Sequence, residues 1–335
     1  MQNQVNLRNL FTRLGGAMLF FLVMFSTVYS GAVIIQEKLI WISDSFLAVV
    51  LSDLLVSLAY IVSFLAPVWF FFAISRKKVV HPMGLALRFF KQKPTQSTFA
   101  IMFFGTAVCF SMSYFNSVLF SIPQDIYDQL FVSEGTTGYQ LVLMFISTAI
   151  VPAFVEEFLF RGVVLSQIRP YSETGAVLIS ALLFGLMHQT PFQILYTTAL
   201  GIVLGVVCIK TGSIWCGVIL HFFNNFLSVF QSFLLERYNE ETGNIIYSVM
   251  MLSVILLSFL LGATLFIAGK KSTPEKVKRT AGYFKSVEGY EGMMLFKREN
   301  ILLIKAFFTP TMIIYIVLCI ISIFSTALLV NGVVI

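Results

Sequence analysis

The sequence has 335 residues, of which 58% are hydrophobic and only 11% charged, with a mean hydropathy of +0.90. A soluble domain carries about 25% charged residues, so this composition excludes a soluble enzyme on a single anchor and describes a polytopic membrane protein. The net charge of +6 then reads as a topology signal and not as a nucleic-acid footprint.

A hydrocarbon core of about 30 Å needs about 20 helical residues to cross it, and by that ruler the chain offers about nine candidate segments. The first is Leu14–Ile35. Arg8 and Arg13 precede it, but its apolar run outlasts a typical signal-peptide core, so an uncleaved helix is expected. Next come Phe46–Ile74, with Asp53 near its start, and a basic loop over 76–93 that contains a short amphipathic stretch, Met83–Phe90. Phe99–Leu119 is followed by an acidic loop with Asp125, Asp128 and Glu134. Then come Tyr139–Ile168, the short Thr174–His188, Phe192–Ile209, Ile214–Leu234 and Ile245–Ala268. A basic stretch over 269–300 leads to the last segment, Ala306–Val330.

The expected fold is an all-α polytopic bundle of eight or nine transmembrane helices. It divides into N-terminal helices (1–138), a chemistry-bearing core (139–235) and C-terminal helices with the basic 269–300 loop (236–335). The positive-inside rule places the N-terminus and the basic loops in the cytoplasm and the acidic loop outside, at a cell membrane. Cys109, Cys208, Cys216 and Cys319 stand singly in apolar runs and are read as small packing residues. Gly201 and Gly205 form a GxxxG spacing that lets helices approach closely.

Ionisable residues at bilayer depth cost free energy and mark candidate functional sites. They gather in three phrases: Glu156-Glu157-Phe158-Leu159-Phe160-Arg161, Phe184-Gly185-Leu186-Met187-His188 and His221-Phe222-Phe223-Asn224-Asn225. On a helix, residues i and i+4 share a face. Glu157 is therefore placed to pair with Arg161 as a structural brace. Glu156 points elsewhere, has no local cation, and is read as the general base acting on water. Pro152, one turn earlier, removes a helix hydrogen bond and is expected to kink the segment. Gly217 leaves space beside His221, whose i+4 neighbour is Asn225.

Two imidazoles and a carboxylate from three helices could hold Zn²⁺, with His188 and His221 as ligands, or could position a water without metal. Asn225 or a protonated His221 could stabilise an oxyanion. A lone intramembrane His or Asn is often only an interhelical hydrogen bond. Here two of the chain's three histidines fall in these segments, and the third, His81, sits in the basic loop. Asp53 reads as interfacial. Asn116, Asn224 and Asn331 read as structural, and Phe160, Phe184, Phe222 and Phe223 read mainly as packing.

Glu-Glu-x-x-x-Arg, Phe-x-x-x-His and His-x-x-x-Asn, in this order on successive helices, resemble the CPBP (Abi) family of intramembrane proteases. That family includes the type II CAAX prenyl endopeptidases and bacteriocin-processing proteins. The resemblance covers about residues 140–235. It implies a membrane endopeptidase in which Glu156 activates water and His188, His221 and Asn225 complete the site. The substrate would be a membrane-associated or lipid-modified peptide or protein, with the lipid bilayer as the other partner. The same residues also admit two rivals: a non-catalytic scaffold or immunity protein of the same fold, and a transporter with a proton relay. No internal symmetry favours the transporter.

Overall fold

The computed structural model describes residues 2–43, 45–75, 94–119, 138–238, 240–271 and 298–330. Among them there are helices and no strands. Eight helices are long and apolar enough to cross a membrane, and Glu173–Met187 is a shorter apolar one. The basic 76–93 loop with His81, the acidic 125–134 loop, most of 269–300 and Asn331 lie outside the described residues.

The first helix, α1, runs as Gln2–Met24, passes through a π turn at Phe25–Tyr29 and continues as Ser30–Ile42. It starts well before the Leu14 expected from hydropathy, because hydropathy does not register the polar first turns. Then come α2 (Phe46–Ser75) and α3 (Gln96–Leu119). The fourth helix, α4, is assembled from Gly138–Met144, a π turn at Phe145–Ile150, Val151–Glu157, a second π turn at Phe158–Leu165, and Ser166–Ile168. It is followed by α5 (Glu173–Met187), α6 (Pro191–Thr211), α7 (Ile214–Arg237) and α8 (Glu240–Lys271).

The last expected segment, Ala306–Val330, is α10 (Pro310–Val330), and its first two residues close a separate helix, α9 (Arg298–Phe307), that begins in the expected basic stretch. The break falls where Pro310 supplies no N–H and takes the first helical position, while Thr309 Oγ1 receives the Met312 N–H.

Local chemistry sets the ends of the core helices. Ser172 caps α5 by accepting from the Gly175 N–H, and its hydroxyl also donates to Asn300 of α9 at 2.5 Å. Ser213 caps α7 through the Trp215 N–H. Gly212 ends α6 with φ 68°, a left-handed conformation that glycine adopts without strain.

α4, α5, α6 and α7 pack on one another, and α2 and α3 close against them. α1 packs on both α2 and α10, so the two ends of the sequence meet. Gly201 is required on α6, since a Cβ there would stand 2.9 Å from the Ala181 Cα of α5. Outward faces carry large exposed apolar side chains such as Trp41, Trp69 and Leu195. That surface suits lipid and not water.

Candidate active site

α4 is the irregular helix, and its irregularity has a visible cause. Proline at 152 has no N–H to give to the carbonyl four residues back, Thr148. The π turn Phe145–Ile150 sits at that point, and Asn225 of α7 donates its Nδ2 to the Thr148 carbonyl at 3.3 Å. The second π turn carries Arg161. Its Phe160 carbonyl accepts from the buried Ser180 hydroxyl of α5 at 3.0 Å. Single π turns inside α-helices recur at functional sites.

Between these two turns lie Glu156 and Glu157, both buried. As the i, i+4 spacing predicts, Glu157 Oε1 pairs with Arg161 Nη1 at 2.7 Å. Arg161 also donates from Nη2 to the Gly201 carbonyl at 3.1 Å and lies 4.6 Å over the Phe184 ring. One guanidinium therefore ties α4, α5 and α6 together. The same Glu157 Oε1 lies 3.1 Å from His221 Nδ1. A carboxylate only accepts, so Nδ1 is the protonated nitrogen and His221 Nε2 faces the other way.

It faces Glu156, whose Oε2 is 3.8 Å from His221 Nε2. Glu156 is thus not isolated, as the sequence suggests, but shares His221 with its neighbour. Its Oε1 accepts from the Tyr60 hydroxyl of α2 at 2.5 Å, while Oε2 has no hydrogen-bond partner among the described residues. Tyr60 is the residue that sequence reasoning missed. A single tyrosine in an apolar helix carries no signal that separates it from ordinary packing.

His188 caps the C-terminal end of α5, whose 15 residues span about 22 Å and fall short of a 30 Å core. Its Nδ1 lies 2.9 Å from the Phe184 carbonyl, so Nδ1 carries the proton and Nε2 is left as an acceptor. His188 is partly exposed, within electrostatic reach of Glu156 and His221. The Phe184 ring lies edge-on to both imidazoles, at 5.0 Å from His188 and 5.6 Å from His221. The next residue, Gln189, has φ 53°. Its side-chain Oε1 accepts from Ser322 of α10 at 2.7 Å and its backbone carbonyl from Thr326 at 3.4 Å.

The structure thus joins Glu157, Arg161 and His221 by direct contacts and sets Glu156 3.8 Å from His221 Nε2, with His188 beside them. Asn225 stands one turn along α7 with its amide on Thr148. Asn224 is a structural residue with a partner, Tyr196, whose hydroxyl donates to its Oδ1 at 2.6 Å. Phe160 and Phe184 are fully buried and pack edge to face at 5.2 Å, whereas Phe223 is exposed. Asp53 is half-buried on α2, two turns from Tyr60.

The expected zinc would draw on His188, His221 and a glutamate. Among the described residues no group of three or more His, Cys, Asp or Glu side chains is arranged to hold a metal ion. His221 donates from Nδ1 to Glu157 and His188 from Nδ1 to the Phe184 carbonyl, which leaves both Nε2 atoms and Glu156 Oε2 as acceptors.

Residues 138–227 match the family model described as type II CAAX prenyl endopeptidase Rce1-like. Over 103 residues the chain is 30% identical to a Bacillus subtilis (strain 168) protein named "Putative membrane peptidase YdiL". That match covers 30% of this chain and spans 41% of the relative's length. No solved structure matches. The resemblance to the CPBP proteases, read from three motifs, is borne out over the segment that carries them.

Proposed function

We propose that this protein is an intramembrane endopeptidase that hydrolyses a peptide bond in a membrane-associated or lipid-modified peptide or protein. The observation that carries the reading is the pair of acceptors facing each other, Glu156 Oε2 and His221 Nε2, 3.8 Å apart. Polar atoms at that separation are suited to sharing a donor between them. A water there can donate to both, which aims its oxygen lone pairs at an incoming carbonyl carbon.

Glu156 takes a proton as the water oxygen forms its bond to the scissile carbon. The carbonyl π electrons move onto oxygen. That oxyanion is met by the second N–H of the Asn225 amide, while neutral His221, its Nδ1–H on Glu157, keeps Nε2 on the hydrogen that stays with the attacking oxygen. Collapse of the tetrahedral intermediate breaks the C–N bond, and Glu156 returns its proton to the leaving amine. His188, with Nε2 free, orients the water or the substrate backbone. The Glu157–Arg161 pair keeps His221 turned toward Glu156. The N-terminus and the basic loops are assigned to the cytoplasm by the positive-inside rule.

The test uses the full chain in bilayer nanodiscs and an internally quenched peptide ending in a farnesylated CAAX box, with its unprenylated twin beside it. Cleavage by the wild type and none by Glu156→Gln supports the reading, and preference for the prenylated peptide assigns the substrate class. Equal cleavage by both proteins removes Glu156 from the chemistry. Solute flux in liposomes carrying the protein, lost on Glu156→Gln, would favour a transporter instead.

A further inference from the structure

We propose that Tyr60, on α2 and outside the segment similar to known peptidases, is the positioning residue of the Glu156 carboxylate. The inference rests on the peptidase reading of the site. A carboxylate has two equivalent oxygens and turns about its last torsion with little hindrance. Useful base chemistry needs one oxygen presented to the water in a fixed direction. In this protein the Tyr60 O–H, 96 residues away in sequence, donates to Oε1 at 2.5 Å. Oε2 is thereby the oxygen left toward His221 Nε2. A hydrogen bond to an ionised acceptor is also among the stronger ones.

The phenol is itself held. Its ring lies 4.8 Å from that of Phe64, 5.4 Å from Tyr29 and 6.1 Å from Phe25. Phe25 and Tyr29 bound the π turn of α1 and stack on each other at 4.6 Å. Three residues beyond Tyr60, the fully buried Ser63 donates to the Met24 carbonyl at 3.2 Å, just before that turn. The π turn of α1 and the α2 register are therefore fixed together at the height of Glu156. The N-terminal helices supply a part of the site and are more than an anchor for it.

The closing experiment compares the full chain in nanodiscs with Tyr60→Phe, with 3-fluorotyrosine incorporated at position 60, and with Glu156→Gln. Phenylalanine keeps the ring contacts and removes the donor. Fluorotyrosine keeps both. Cleavage of the quenched farnesylated CAAX peptide is expected to fall on the order of 10- to 100-fold in kcat for Tyr60→Phe, the loss of one hydrogen bond to a charged group. KM should stay near wild type, and fluorotyrosine should restore kcat.

Infrared spectra of protein carrying ¹³C-carboxyl glutamate give a readout without turnover. The Tyr60→Phe minus wild-type difference should contain a shifted carboxylate band, and that band should vanish when Glu156→Gln is present in both. If Glu156→Gln abolishes cleavage but Tyr60→Phe leaves kcat intact, the positioning role is overturned and the peptidase reading stands. If nothing cleaves, or Glu156→Gln cleaves normally, the peptidase reading fails. The infrared coupling then decides the Tyr60–Glu156 bond alone, and an unchanged carboxylate band overturns it.

Discussion

Replacing Glu157 by glutamine removes one charge from a pair that the fold has taken almost wholly out of solvent. The Glu157 and Arg161 side chains are 0% and 1% exposed, with Oε1 and Nη1 2.7 Å apart. At an effective dielectric constant of about 20 the attraction between them is about 6 kcal/mol, much of it offset by desolvation. Truncating one partner of such a pair costs about 3–5 kcal/mol, because the other charge stays buried without its counter-ion. Arg161 would keep a neutral amide oxygen, the Gly201 carbonyl and the Phe184 ring, but no counter-ion.

Glu157→Gln is therefore expected to lower the unfolding free energy by about 3–5 kcal/mol, and Arg161→Met by a similar amount. The double variant should recover most of the loss, since a buried pair exchanged for neutral groups of like size is close to neutral. The assay is reversible denaturant unfolding of the full chain in bicelles, run as a double-mutant cycle. Losses that simply add, or a Glu157→Gln protein within about 0.5 kcal/mol of wild type, would refute the brace.

Other perturbations follow from the same contacts. At Gly217 a methyl group would stand 2.6 Å from Cys208 Sγ and 2.7 Å from Glu157 Oε2. Gly217→Ala should cost about 1–3 kcal/mol by overpacking and depress cleavage by displacing Glu157 from His221; unchanged melting and turnover would count against this placement. Gly15→Ala would bring its Cβ 2.7 Å from the Met312 backbone nitrogen, prying α1 from α10. A lowered midpoint with the site chemistry intact is the expected signature, read by thermal unfolding. Ser322→Ala with Thr326→Val removes both hydrogen bonds to Gln189 and should cost about 1–3 kcal/mol. Limited proteolysis near the α5–α6 turn should detect the release, and an unaltered cleavage pattern would show that α10 does not hold that turn.

Much of the fold is legible because a bilayer leaves few choices. Apolar runs of the right length become helices, and hydropathy located the spans, including the short α5. It erred where polar residues continue a helix, as at the start of α1, and where a break is made by Thr309 and Pro310 inside an apolar run. The Glu157–Arg161 pair was readable from i, i+4 geometry alone. The sharing of His221 between both glutamates was not, because it depends on how α7 is rotated against α4. None of the three π turns could be read, although Pro152 pointed to the place where one occurs. Tyr60 was invisible because its meaning lies in a partner 96 residues away.

The central claim is that Glu156 activates water for peptide-bond hydrolysis. It is tested most directly by comparing peptide and protein termini in cells expressing wild type or Glu156→Gln at equal levels. The account predicts at least one terminus, from a membrane-associated or secreted peptide, that appears only with the wild type. Matching terminus profiles, together with a deletion phenotype that Glu156→Gln rescues, would contradict it and make the protein a scaffold.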